Sequence, residues 1–140
     1  MFGGEFKHSL DPKKRIFIPA KMREDLGATF VVVQDIREKC LKLYSLAGWE
    51  EYLAPIREKN RNLRERVLRY LNSTMEKVSP DSQGRITLTK ELVDYANIEG
   101  AAVVVGCGDY AEIWAEATYE EMKQNLDVAE MLAELEELGL

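Results

Sequence analysis

Two short stretches, 70 positions apart, alternate apolar and polar residues with the period of a strand. Arg15-Ile16-Phe17-Ile18 puts Ile16 and Ile18 on one face, and Arg85-Ile86-Thr87-Leu88 does the same with Ile86 and Leu88. Pro19 stops the first ladder and opens a helix near Ala20, and Thr89 is placed to cap the helix after the second. The apolar runs in "TFVVVQDI" and "AAVVVGCG" read as buried strands. "CLKLYSL" and "YAEIWAE" read as the strands that pair back on them as hairpin partners. Each half of the chain is thus roughly β-β-α-β-β followed by a longer helix.

The order of elements repeats along nearly the whole chain. Asp11, Arg15 and Ile16 correspond to Asp81, Arg85 and Ile86, an offset of 70. "AKMREDLG" corresponds to "TKELVDYA", the triplet Val31–Val33 to Val103–Val105, "LKLY" to "AEIW", and "SLAGWEEY" to "AEATYEEM". The offset is 70 at both ends and 72 at the valines, so small insertions cancel in the loops. A half with four strands and one short helix buries too little apolar surface to stand alone. Two halves packed about a pseudo-two-fold axis share a core, and closing into a small barrel removes their exposed edges. The expected class is α+β with a mainly β core. The divisions are a first repeat over 5–47, a helical connection over 48–75, a second repeat over 76–119 and a terminal helix over 120–140.

The connection fits two helices, broken near Pro55 or near Asn60–Asn62. In the second, Leu63, Val67, Tyr70 and Leu71 form an apolar face, and Arg61, Arg64, Arg66 and Arg69 occupy much of the remainder. At the C-terminus, "DVAEMLAELEELGL" is an acidic amphipathic helix with Val128, Leu132, Leu135 and Leu138 on one side. It can pack on the body, pair with another chain, or fray.

Charge changes the picture in one respect. The net charge of −6 argues against a polyanionic partner, but residues 1–75 carry an excess of five bases and residues 76–140 an excess of eleven acids. A chain divided this way can present a basic face. The two cysteines, Cys40 and Cys107, are not in a CxxC pattern and read as reduced thiols. No apolar run is long enough for a membrane span, and the N-terminal residues lack the layout of a signal peptide.

The repeated polar pair is the candidate chemistry. An aspartate in a turn accepts backbone N–H bonds. It can also orient an arginine four residues on through a bidentate pair. An arginine held this way loses less rotamer entropy when it meets a ligand. One such pair is unremarkable; two with the same spacing point to a recognition device.

The order Asp-x-x-x-Arg, alternating strand, short helix, valine strand and aromatic-ended strand, written twice around an arginine-rich helix, resembles the MraZ family of bacterial transcriptional regulators. Each half is similar to the SpoVT-AbrB type of swapped-hairpin DNA-binding module. Met1-Phe2, Leu10, Asp11, Lys13, Arg15, "CLKLYSLAGWEEY" and "RERVLRYL" carry the likeness, which spans about residues 1–125. It implies a pseudo-two-fold double swapped-hairpin barrel with flanking helices. It also implies a cytoplasmic, nucleoid-associated protein that binds double-stranded DNA at the promoter of a division and cell-wall gene cluster, its own included. Family members assemble as rings on short G-rich direct repeats, so a homo-oligomer is expected.

Arg15 and Arg85 are then the expected base readers, since arginine donates two bonds to guanine O6 and N7. Lys7, Lys13, Lys14 and Lys21 are expected on phosphates, and Asp11 and Asp81 as the braces. Lys14 stands where the family pattern has glycine, and the cost of a positive φ there argues against the tight left-handed turn that Gly84 permits. Gln83 stands where the pattern has lysine, which makes the first copy the more basic.

No cofactor, metal site or catalytic residue is expected. "GGEF" at residues 3–6 lacks the large nucleotide-binding domain in which that motif works, and "GCG" at 106–108 is no phosphate loop. His8, the only histidine, leaves a hydrolase triad or multi-histidine metal site almost nothing to use, and reads as an exposed strand residue beside the DNA face. Glu50-Glu51 and Glu120-Glu121 are expected at helix starts, where acids suit the macrodipole, and read as solvated faces rather than acid/base pairs. Two rival functions stand beside the regulator. One is an antitoxin-type relative that binds a toxin through the acidic tail. The other is a structural oligomer without nucleic acid, in which the arginine-rich helix makes salt bridges between subunits.

Overall fold

A computed structural model describes residues 1–140. The strands are β1 (Glu5–Ser9), β2 (Arg15–Phe17), β3 (Phe30–Gln34), β4 (Leu41–Ser45), β5 (Glu76–Val78), β6 (Arg85–Thr87), β7 (Ala101–Gly106) and β8 (Ala111–Ala115). The helices are α1 (Ala20–Leu26), α2 (Leu46–Arg57), α3 (Arg61–Thr74), α4 (Lys90–Tyr95), α5 (Glu116–Gln124) and α6 (Val128–Glu137). Six strands form one antiparallel sheet in the order β1-β7-β8-β4-β3-β5, and β2 and β6 form a separate ribbon.

The valine strands pair with the aromatic-ended strands as the pattern predicts, β3 with β4 and β7 with β8. The short strands cross between halves. β1 of the first half pairs with β7 of the second, with Lys7 opposite Val103; β5 of the second pairs with β3 of the first, with Lys77 opposite Val31. In the ribbon Ile16 lies opposite Ile86, and in the middle of the sheet Lys42 lies opposite Glu112. On each side of these two pairs the registers are mirror-equivalent. A pseudo-two-fold axis therefore passes through both.

The expected closed barrel does not form. The sheet ends at β1 and β5, while β2 and β6 bond only to each other. These are three-residue strands, and Pro12 and Pro80 remove an N–H where the chain leaves the sheet for the ribbon.

Ile16, Ile18, Ile86 and Leu88 of the ribbon region pack onto Phe30, Val32, Leu41, Leu43, Val104 and Ile113 of the sheet, with Met22, Leu26 and Leu92 of the short helices. This core belongs to both halves. The other face of the sheet carries two smaller clusters. Val31, Val33, Tyr44, Trp49, Leu53 and Leu71 join α2 and α3 to the first half, and Val103, Trp114 and Tyr119 join α5 to the second. The alternating valines thus serve both faces, as period 2 requires.

The helical connection breaks at Asn60, whose side chain accepts from Leu63 N–H as the cap of α3, while Pro55 is carried inside α2. Thr89 caps α4 through Leu92 N–H. On α3 the inward face is Val67, Leu68 and Leu71; Leu63 and Tyr70, expected in the apolar face, are 38% and 39% exposed. Glu50 and Glu120 fall in the second turns of α2 and α5 rather than the first, and Glu50 pairs with Arg57 at 2.6 Å. α6 buries none of its residues. Both cysteines are free, with Cys40 buried and Cys107 half-buried. Burial, reinforced by the Glu112 charge, pushes the Cys107 thiol up to about 12. No helix is long and apolar enough to cross a membrane.

Candidate nucleic-acid interface

The two Asp…Arg turns have the same bonding, atom for atom. Asp11 Oδ1 accepts from the backbone N–H of Lys13 at 2.9 Å and of Arg15 at 2.8 Å, and Oδ2 accepts from Arg15 Nε at 2.7 Å. Asp81 Oδ1 accepts from the N–H of Gln83 and of Arg85, and Oδ2 from Arg85 Nε, all at 2.9 Å. Backbone bonds close both turns: Asp11 N–H to Arg15 O and Lys14 N–H to Asp11 O, with Asp81 N–H to Arg85 O and Gly84 N–H to Asp81 O in the second.

The expected bidentate brace is therefore not what forms. One carboxylate oxygen closes the turn, so only the other remains for the guanidinium. It takes Nε alone. Both Nη nitrogens of each arginine are left without a partner in the chain, which is the pair that a guanine O6/N7 edge requires.

The electrostatics follow from this bonding. Desolvation pushes the Asp11 carboxyl up, but the Arg15 backbone N–H, the Arg15 side chain and the Lys13 N–H outweigh it and hold the group below its ordinary 3.8. At Asp81 the Arg85 N–H is the largest influence and acts in the same direction, again against desolvation.

Period 2 puts Arg15, Phe17, Arg85 and Thr87 on the outer face of the ribbon while Ile16 and Ile86 are buried beneath. Arg85 lies opposite Phe17 and Arg15 opposite Thr87. The two arginines are diagonal neighbours across the ladder, a relation that sets residues roughly 7–8 Å apart. Their side chains are 29% and 28% exposed. Both sit on one face at the pseudo-two-fold axis.

Of the lysines, Lys13 and Lys14 are exposed in the turn that leads into Arg15. Lys7 is not with them. It shares its β1 face with Glu5, which meets Lys123 of α5 at 3.6 Å, whereas Phe6 and His8 face the core and the ribbon. The alternation therefore points Lys7 to the side of the sheet away from the arginines. Lys21, on α1, borders a cleft shared with Met1–Gly4 and Phe6. His8 is half-buried, its ring edge-on to Phe17 at 5.0 Å.

Lys14 does adopt the left-handed turn, with φ 61 beside 79 at Gly84. The reason for the asymmetry is local. A Cβ on Gly84 would come within 2.8 Å of Arg23 Cζ and 3.0 Å of Phe17. The positions corresponding to Arg23 and Phe17 in the other copy are Val93 and Thr87, short side chains that leave room beside Lys14.

Arg23 is a basic residue the pattern did not flag. Its Nε donates to Ile18 O at 2.9 Å and its guanidinium lies 5.5 Å over the Phe17 ring. Phe17 is thus held between Arg23 and His8 on the outer face of the ribbon. The only signal in the sequence is one arginine beside the buried Met22 of a short helix.

No group of three or more His, Cys, Asp or Glu side chains converges to hold a metal. The family model described as "MraZ protein, putative antitoxin-like" matches residues 1–70 and 73–138. Over 144 aligned residues the chain is 35% identical to the transcriptional regulator MraZ of Clostridium tetani, covering all of both chains. It is 34% identical to that of Dictyoglomus turgidum, covering 98% of this chain and 94% of the relative, and 36% identical to that of Moorella thermoacetica, covering 96% and 95%.

Proposed function

Since this chain belongs to the MraZ family of transcriptional regulators, we propose that it reads promoter DNA with the outer face of the β2–β6 ribbon. The observation that carries this is the pair of guanidiniums, each fixed through Nε and each with its Nη edge free, on one exposed face at the pseudo-two-fold axis.

A two-stranded ribbon fits the major groove. Arg15 and Arg85 donate from both Nη groups to guanine O6 and N7, while Asp11 and Asp81 keep the guanidinium planes from rotating. Lys13 and Lys14 sit on the flanking phosphates, giving position and salt dependence but no sequence preference. Lys7 lies on the other side of the sheet and contributes only through the overall field. Phe17, fixed by Arg23 and His8, supplies an apolar edge suited to a thymine methyl.

The two repeats, 5–47 and 76–119, act as interleaved half-modules of the swapped-hairpin type, which the crossed pairing of β1 with β7 and β5 with β3 supports. The target is a set of short G-rich direct repeats upstream of the division and cell-wall genes, the protein's own gene among them. Several chains bind as a ring in the cytoplasm, on the nucleoid. One ribbon offers few base contacts, so subunits linked in a ring gain by effective concentration.

The test is a titration of the upstream duplex with Arg15→Ala and Arg85→Ala. Each bidentate contact discriminates by about 1–3 kcal/mol, so each variant loses roughly 5- to 150-fold in specific affinity while keeping its affinity for random DNA and its melting temperature. Unchanged promoter affinity in a folded Arg15→Ala variant removes the ribbon as the reading element.

A further inference from the structure

α6 is an apolar stripe without a partner. Val128, Met131, Leu132, Leu135 and Leu138 line one side of it, each at least 39% exposed. At 100° per residue, Glu134 and Glu136 border that stripe on either side, and Glu130 and Glu137 lie behind it. The helix holds four glutamates and no base. None of the four is in an ion pair within the chain. α6 follows α5 in the second half as α3 follows α2 in the first, yet α3 packs on the sheet through Leu71 and α6 does not.

α3 offers the complementary surface. Leu63 and Tyr70 stand one heptad apart on its exposed shoulder, with Arg66 between them and Arg69 alongside. Arg61 is paired to Glu65 at 2.8 Å, and Arg64 reaches Arg57 O, but Arg66 and Arg69 have no carboxylate partner in the chain. α5 packs on β7 and β8, and α3 on β3 near the other edge of the sheet; α6 continues the chain after α5.

We infer that, within the ring proposed above, α6 of one chain docks along the Leu63–Tyr70 shoulder of α3 in the next copy. Leu132 and Leu135 cover Leu63 and Tyr70, and the glutamate on the flank of the stripe that faces Arg66 and Arg69, Glu134 or Glu136 according to helix direction, meets them. The occupant is α3 of a second copy rather than its α6, because pairing two α6 stripes would set glutamate rows against each other. Acidic arm and basic shoulder lie at different ends of the chain, so the contact is head-to-tail, and a head-to-tail contact closes as a ring when its rotation divides a full turn.

Two full-length double variants test this by sedimentation. One carries Arg66→Glu and Arg69→Glu, the other Glu134→Arg and Glu136→Arg. Each alone sets like charges at every α6–α3 contact, so each should lose the assembly and sediment at 16.0 kDa. Mixed in equal amounts, every contact in an alternating ring again joins opposite charges, and the assembly should return. Unchanged circular-dichroism spectra and a cooperative melt exclude misfolding, since all four positions are solvent-facing. If the wild type assembles and either variant alone still does, the α6–α3 contact is wrong while the ring stands. If both variants dissociate and the mixture stays dissociated, the pairing is also wrong. A wild type that sediments as a monomer at tens of micromolar removes the ring itself.

Discussion

Asp11 Oδ1 closes a turn while its Oδ2 holds one arginine nitrogen, and Asp81 repeats the division. Asparagine keeps the first role but sets an N–H₂ against Nε, donor against donor. Asp11→Asn should therefore leave the turn closed and free the arginine. Part of arginine's roughly 2 kcal/mol of rotamer entropy then returns as a binding cost, about fivefold in promoter affinity, with random-sequence DNA as the control. The same substitution carries a pH signature. The carboxyl is held below 3.8 in the fold, so its ionised form stabilises the native state. That contribution is present above the unfolded value and lost as pH falls through the lower native one. The melting-temperature gap between wild type and Asp11→Asn should be constant above about pH 5 and close progressively below pH 4. Lys14 gives a separate test. At φ 61 it bears a strain of about 1 kcal/mol that glycine lacks, so Lys14→Gly should raise the melting temperature by roughly 2–4 °C. The aspartates and arginines were legible because they recur at fixed spacing. The strained Lys14 turn was not, because what permits it is the absence of bulk at Val93 and Thr87, residues remote in sequence.

The ribbon is held to the body by side-chain packing rather than by sheet hydrogen bonds. Ile16 and Ile86 are fully buried opposite each other on the axis, and the three-residue strands have no other sheet neighbour. Ile16→Ala and Ile86→Ala should each cost about 2–5 kcal/mol in urea unfolding, and because the two side chains are neighbours the double variant should depart from the sum. An additive pair would show that the ribbon is not a single packed unit. Period 2 predicts these strands and both hairpins because burial on one face leaves its mark on the order of residues. It does not reveal the exchange of β1 and β5 between halves, since Glu76–Val78 carries almost no pattern and pairing partners are a tertiary matter. The side of the sheet that Lys7 takes, apart from Lys13 and Lys14, is hidden for the same reason. Alternation separates it from His8, but only the pairing with β7 shows which side of the sheet that means. α3 shows the same limit: its apolar residues were evident, but Leu68 turns inward and Leu63 outward because α2 and β3 decide which side is covered.

For the whole molecule, a net charge of −6 and a DNA-binding role are compatible only if the bases are concentrated where the phosphates are. The acids lie mainly in the second half, four of them on α6, while Lys13 and Lys14 stand in the turn that leads into Arg15. With these two lysines as its phosphate contacts, one ribbon should release about two counterions, a slope near −2 for log affinity against log salt. If a ring binds as proposed, a duplex with two direct repeats engages two of its ribbons, and the slope should double to about −4. The second contact is intramolecular, so affinity should rise by at least 100-fold over a duplex with one repeat. That gain depends on both ribbons facing the same side of the duplex. Inserting five base pairs between the repeats turns the second site by about half a helical turn, and affinity should fall back toward the single-repeat value. Inserting ten restores the facing and recovers most of it. If the spacing series is flat, each chain binds alone and the ring has no part in recognition. Lys13→Ala with Lys14→Ala should remove most of the salt slope on the one-repeat duplex and leave the preference for the G-rich site in place. A lost preference with an unchanged slope would mean that these lysines, not the arginines, read the bases.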